Sequence, residues 1–220
     1  MIINKTNYSI DRFHESKLLN VDTRDLGTIR KTHLLDTLNE VCIDGDVLEF
    51  GVYKAFTTNA IATFFPNDTV HGFDSFEGLP EDWVTRTRET RWPDKLKHKK
   101  GYFALDKLPQ VENNVKLWKG WFDKTVYEYI DQQTPKQIKF LHVDGDLYSS
   151  AKVVFDALNN YIVKDTVILF DEFYPWGRKP FDFWMEHEYK ALQEWIETYD
   201  REFTVISHNN HQQCAIKVHK

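Results

Sequence analysis

Cysteine is nearly absent: Cys42 and Cys214 are the only two in 220 residues. A disulfide framework is thereby excluded, and a lone pair so far apart matches no metal-binding spacing. Cys42 ends an apolar helical stretch and Cys214 lies in an apparent strand, so both read as buried thiols of a reduced compartment. Glycine is sparse too, at nine residues, and nowhere do three of them form the phosphate-cradling pattern G-x-G-x-x-G. No apolar run nears the roughly 20 residues needed to cross a bilayer. Met1–Asn7 lacks the apolar core and cleavage signal of a secretory leader. Positive charge is not in excess, the formal net charge being −6, so neither nucleic acid nor a membrane is the expected partner. The densest basic run, Lys95 to Lys100, reads as a solvated face. Together these absences point to a cytoplasmic protein with one sizeable core.

Aromatic residues are plentiful, with 16 Phe, 10 Tyr and 7 Trp. They can pack a core or enclose a flat ligand. Short apolar runs alternate with stretches of helical period. Strands are expected at 47–50, 69–73, 115–118, 138–143, 166–170, 203–207 and 213–218. Helices are expected at 28–41, 57–65, 121–131, 147–161 and 189–199. Such alternation implies a mostly parallel sheet with helices on both faces and right-handed crossovers. The last two strands are joined by the short turn His208–His211, so one of them runs antiparallel. Residues 1–27 are polar and mixed and read as an arm, a lid or an oligomer contact, so a homo-oligomer is compatible with the sequence. Residues 28–220 form the expected single domain, with lid-like insertions at about 81–103 and 174–188, the second rich in aromatics.

Four strands end in an acid or run straight into one, and a fifth ends at a glycine. Val47-Leu-Glu-Phe-Gly51 places Glu49 at a strand end, and Gly51 lets the backbone turn tightly beside a ligand. Without a glycine-rich cradle, this turn suits a cationic or zwitterionic group better than a pyrophosphate. Asp74 ends the next strand, where an acid can accept from both hydroxyls of a ribose or can cap its own loop. Lys116-Leu-Trp-Lys-Gly120 closes the third strand. Asp144-Gly-Asp146 and Asp171-Glu172 follow two further apolar strands. Carboxylates converging at one sheet edge repel one another, and a divalent cation relieves that repulsion while binding a hydroxyl. An all-oxygen set favours Mg²⁺. The alternative is that these acids are helix caps and exposed turn residues. His142 alternates with apolar neighbours and reads as a core histidine rather than a base.

Five ordered blocks, Val47–Tyr53, Gly72–Pro80, Lys119–Thr125, His142–Ser150 and Phe170–Phe173, make the chain similar to the macrocin O-methyltransferase family. The resemblance spans roughly residues 45 to 200. It implies a Rossmann-like class I methyltransferase fold with a seven-stranded, mostly parallel sheet and a C-terminal antiparallel hairpin. It also implies S-adenosylmethionine as methyl donor, a Mg²⁺ ion, and a hydroxyl acceptor on a sugar, a glycoside or another small molecule. By the same resemblance Glu49, Gly51, Tyr53 and Thr57 hold the donor's methionine part. Asp74 and Ser75 bind the ribose, and Gly120 and Trp121 border the adenine. Asp144, which also faces the donor, joins Asp171 and Glu172 around the metal, with Asp144 or Asp146 as base. Two residues depart from the family: Ala55 stands where glycine is usual, and Glu172 where the sugar methyltransferases have a second Asp. Two other readings fit less well. A Rossmann NAD(P)-dependent oxidoreductase lacks its glycine fingerprint here, and a non-catalytic relative that only binds the donor is separable by turnover.

Overall fold

The computed structural model of this chain describes residues 1–19, 25–85, 95–174 and 184–220. In chain order the elements are α1 (Ile10–His14), β1 (Lys17–Leu19), α2 (Leu26–Leu38), β2 (Asp46–Phe50), α3 (Phe56–Phe64), β3 (Val70–Asp74), β4 (Trp83–Thr85) and β5 (Lys95–His98). Then follow β6 (Val115–Lys119), α4 (Phe122–Gln133), β7 (Ile138–Val143), α5 (Tyr148–Leu158), β8 (Ile162–Phe170), α6 (Glu188–Tyr199), β9 (Phe203–Asn209) and β10 (Cys214–Val218). An eight-stranded sheet runs in the order β1-β9-β10-β8-β7-β2-β3-β6, and β4 and β5 form a separate two-stranded sheet. Within the larger sheet β10 alone is antiparallel to its neighbours, β8 on one side and β9 on the other. All seven expected strands are present. The eighth, β1, adds to the edge beside β9.

Strand periodicity of two sorts the side chains onto two faces. On one face Val47, Phe140, Val167 and Leu169 pack with Leu34 and Leu38 of α2 and Ile61 of α3. On the other, Leu48, Phe50, Leu141, Ile168 and Phe170 meet Val126 of α4, Phe155 of α5 and Trp195 of α6. Continuing the alternation, Glu49, His142 and Asp171 fall on the α2–α3 face. The register supports this, since Glu49 pairs with His142 across β2 and β7. Three polar side chains are therefore buried together at one end of an apolar layer.

The N-terminal stretch is stitched to the sheet. Ile3 bridges Phe203, and Phe13 is buried against Phe173 and Phe203. Cys214 is buried as expected, but Cys42 is exposed. Helix α2 stops at Leu38 with Asn39 as its C-cap, so Cys42 lies beyond the packed face. The basic run from Lys95 begins as strand β5, which pairs with β4. Among the described residues, no helix is long and apolar enough to cross a membrane. Most of the aromatic insertion, at 175–183, lies outside the described residues.

Candidate active site

The chain leaves β2 for β3 on one side and later returns to place β7 on the other, so the C-terminal ends of β2 and β7 flank the point where strand order reverses. Open α/β sheets bind ligands at such a point. A cleft of about 820 Å³ opens there, large enough for two small substrates. Its wall includes Gly51, Tyr53, Asp74, Ser75, Trp121 and Phe122, together with Arg30, Asp144, Asp146, Glu172 and Gln212. The insertion at 81–103 contributes Trp83, His98, Lys100 and Phe103. Phe103 also meets the Tyr53 ring edge-on at 5.3 Å.

The side formed by residues 51–55 is shaped by backbone. Gly51 has φ 103°, and a Cβ built there would overlap the Asp144 carbonyl oxygen. No other residue fits without moving one of the two strand ends. Tyr53 and Ala55 are also left-handed, at φ 46° and 61°. Glycine is favoured at such a φ, so the glycine that the resemblance leads one to expect in place of Ala55 would have a physical reason. Asp74 holds this loop in shape. One carboxylate oxygen accepts from the amides of Val52 (3.0 Å) and Tyr53 (2.7 Å), the other from Phe76 (2.7 Å). Burial pushes the Asp74 carboxyl up, and those amides oppose the shift. Ser75 accepts from the Glu77 amide at 3.0 Å and lines the cleft beside it.

Four of the expected donor and metal residues lie outside the lining: Glu49, Thr57, Gly120 and Asp171. The Gly120 amide donates to the Asp74 carbonyl at 2.9 Å and so fixes where Trp121 begins the cleft wall. Glu49 is fully buried. It accepts from the Thr58 hydroxyl on one oxygen and from His142 Nδ1, 2.9 Å away, on the other. With Nδ1–H donated to Glu49, Nε2 of the fully buried His142 is left as an acceptor without a hydrogen-bond partner. It points toward Asp171, whose oxygen lies 3.9 Å away.

The rest of the site is shaped by charge. His142, Asp144 and Asp171 each offer one donor atom, all within 4.8 Å of one another. Asp144 is half-buried at the cleft floor. Burial, followed by the charges of Asp171 and Asp146, pushes its carboxyl well above the usual carboxylate range, with Arg30 opposing. Glu188 is fully buried beneath the cluster and is raised by burial and then by Asp171, Glu172 and Asp146. Arg30 answers this negative charge, its Nη2 lying 3.0 Å from Asp171 and 2.8 Å from Glu172. Gln213 donates to Asp171 at 2.6 Å, and Gln212 donates to Glu172. Glu172 is thus held by Arg30 and Gln212, and His142 stands in the ligand-like group instead. The signal for His142 was in the sequence: Glu49 and His142 are the two polar residues on an otherwise apolar face of β2 and β7.

The profile of the macrocin O-methyltransferase (TylF) family matches residues 21–201. The chain belongs to the TylF family of O-methyltransferases. S-adenosylmethionine is the donor the family implies. Among solved structures, the calicheamicin methyltransferase CalS11 is similar at 19% identity and TM-score 0.66, covering 88% of this chain and 80% of that one. The O-methyltransferase NovP is similar at 16% identity and TM-score 0.59, covering 87% and 80%. MycE, from the mycinamycin pathway and solved with Mg, SAH and Mycinamycin VI, gives 14% identity and TM-score 0.53, covering 86% of this chain and 48% of that one. At these identities the likenesses show the fold: a Rossmann-like methyltransferase sheet with an antiparallel C-terminal strand. No curated protein matches.

Proposed function

We propose that this TylF-family chain methylates a hydroxyl of a small acceptor, a sugar or glycoside, with Asp144 or Asp146 taking the proton. The observation that carries this reading is the shared floor of the cleft. The Asp144 amide donates to the Phe50 carbonyl at 2.8 Å, and the Asp144 carbonyl fills the space a Gly51 side chain would need. A candidate base is thereby locked against the loop proposed to hold the donor. When bound, S-adenosylmethionine supplies an electrophilic methyl group on a sulfonium. Gly51 and Tyr53 border its methionine part, Asp74 and Ser75 the ribose, and Trp121 the adenine. Glu49 acts on this site indirectly, by orienting His142, and Gly120 fixes the loop behind the wall through the hydrogen bond from its amide to the Asp74 carbonyl. The acceptor oxygen would take the methyl carbon as the carbon–sulfur bond breaks, leaving S-adenosylhomocysteine, and the carboxylate of Asp144 or Asp146 would take the hydroxyl proton. Holding the two reactants in line is the main task, worth ~7–11 kcal/mol at best.

The residues fit a divalent cation. His142 Nε2 is an orphaned buried acceptor aimed at two carboxylates, and its other nitrogen is held by Glu49, the arrangement metal-bound histidines commonly show. His142, Asp144 and Asp171 would hold the ion. It would supply positive charge that lowers the pKa of the acceptor hydroxyl. With an imidazole nitrogen in the set, the ligands are not the all-oxygen group expected and do not by themselves single out Mg²⁺; Mg²⁺ is the ion in the MycE structure, and it is the ion proposed here. The cleft side of the cluster, with Ser149, Ser150, His211 and Gln212, offers hydroxyl and amide groups suited to a polyhydroxylated acceptor.

The test is turnover with S-adenosylmethionine and Mg²⁺ across nucleotide-linked sugars, free glycosides and phenols, following S-adenosylhomocysteine by mass spectrometry. Release with the sugars is expected. Release with phenols alone would move the acceptor class. Calorimetric binding of S-adenosylhomocysteine without any turnover would favour a non-catalytic relative.

A further inference from the structure

Arg30 stands where a divalent ion in this cluster would meet it. Helix α2 carries Arg30, Leu34 and Leu38 at intervals of four, so all three lie on one face. Leu34 and Leu38 pack into the apolar layer, and Arg30 continues that stripe to the sheet edge where the acids lie. Its side chain is 35% exposed, so the guanidinium has a way out into the cleft. Inside, Nη2 is shared between Asp171 and Glu172. Asp171 is the contested group. One of its oxygens is paired with Arg30, while the other accepts from Gln213 and faces His142 Nε2.

We propose, resting on the cation reading of the site, that Arg30 is a tethered cation that neutralises Asp171 and Glu172 when no metal is bound, and that a divalent ion must displace it from Asp171. An ion seated among His142, Asp144 and Asp171 would share the Asp171 carboxylate with a guanidinium already 3.0 Å from it. In a partly buried site the two positive charges repel strongly. By linkage, Arg30 weakens the ion's binding by the same factor as the ion weakens the Arg30 contact. Leu26 and Arg30 both line the cleft, so the exchange is felt at the start of α2 while Leu34 and Leu38 hold the rest of the helix. Arg30 is a positioning residue on this account: it sets the ion's affinity and reports its arrival to the cleft wall.

The test uses the full chain with Mn²⁺ as probe, titrated by electron spin resonance and calorimetry, and repeated with Mg²⁺. R30Q should bind Mn²⁺ about tenfold or more tightly than the natural chain, a shift of the size one displaced charge pair gives. In the natural chain, saturating Mn²⁺ should raise amide exchange at residues 26–30, and in R30Q it should not. Equal affinities overturn the proposal. So does tighter binding with unchanged exchange in the natural chain, because Arg30 then acts at a distance without leaving. The exchange measurement needs no variant, so it decides the matter even if R30Q folds poorly. Binding to neither protein removes the cation reading itself, and the proposal with it.

Discussion

The two sides of the cleft are held by different forces. Around Gly51 the constraint is steric and conformational: three left-handed residues in five, a carbonyl oxygen where a side chain would be, and one carboxylate accepting three amides. Around Asp144 the constraint is electrostatic. Carboxylates crowd together, burial raises two of them, and a single guanidinium is shared between two more. A site held by shape tolerates changes of charge but not of volume, and a site held by charge does the reverse. Donor binding should therefore depend on the first side, and proton transfer and ion binding on the second.

The severest break should come from Gly51→Ala. The Cβ clashes with backbone rather than with a mobile side chain, so a loss of about 3 kcal/mol or more in stability is expected, along with loss of donor binding. Thermal unfolding and calorimetry with S-adenosylhomocysteine read both. Normal melting and normal binding in that variant would show that the two strand ends are free to part. Next comes Asp144→Asn, which keeps the volume and removes one of the two candidate bases together with a proposed ion ligand. Turnover should fall about 10²–10⁴-fold, with S-adenosylhomocysteine affinity nearly unchanged. Parallel losses of both would mean that the two sides are not separable.

Glu188→Gln tests the charge side without touching the cleft. The Glu188 carboxyl is raised in the folded chain, so folding takes up a proton. The stability this contributes is complete below the unfolded pKa and is lost as pH rises through the folded one. The bond it accepts from the Glu172 amide, at 3.2 Å, can be accepted equally by a glutamine oxygen. Glu188→Gln should therefore melt at about the same temperature as the natural chain at pH 4 and about 2–4 °C higher at pH 8. Identical melting curves across that range would remove Glu188 from the crowded cluster. The smallest effect is expected from Ala55→Gly. Relief of a left-handed alanine is worth about 1–2 kcal/mol, and the looser unfolded chain returns about 0.4–1 kcal/mol of it. A net gain of about 0–1.6 kcal/mol should appear in denaturant midpoints.

Legibility in the sequence followed the same division. The strands of the parallel core were readable because burial on both faces leaves uninterrupted apolar runs, as in Val167–Phe170. Strand β1 was not readable: three residues with little burial gain their pairing from β9, far along the chain. The acids were visible as strand ends, but how their oxygens are used was not. Asp74 accepts from three amides of its own and the neighbouring loop, and Glu49 turns inward to Thr58 and His142. Arg30 was not singled out, because nothing local marks a residue whose partners stand 141 and 142 positions away (171 − 30 and 172 − 30).

By itself the sequence determined the order of strands and helices, the reversal of one C-terminal strand, the glycine beside the first strand end and the family to which these blocks belong. Each of these follows from periodicity, turn chemistry or local spacing, which a chain carries within a few residues. Only the tertiary structure decided which acids are spent on backbone, which face each other, and that an imidazole and a guanidinium stand among them. Those are distances between strands and helices that meet only after folding, and electrostatic interaction depends on such distances and on burial, neither of which is written in any one segment.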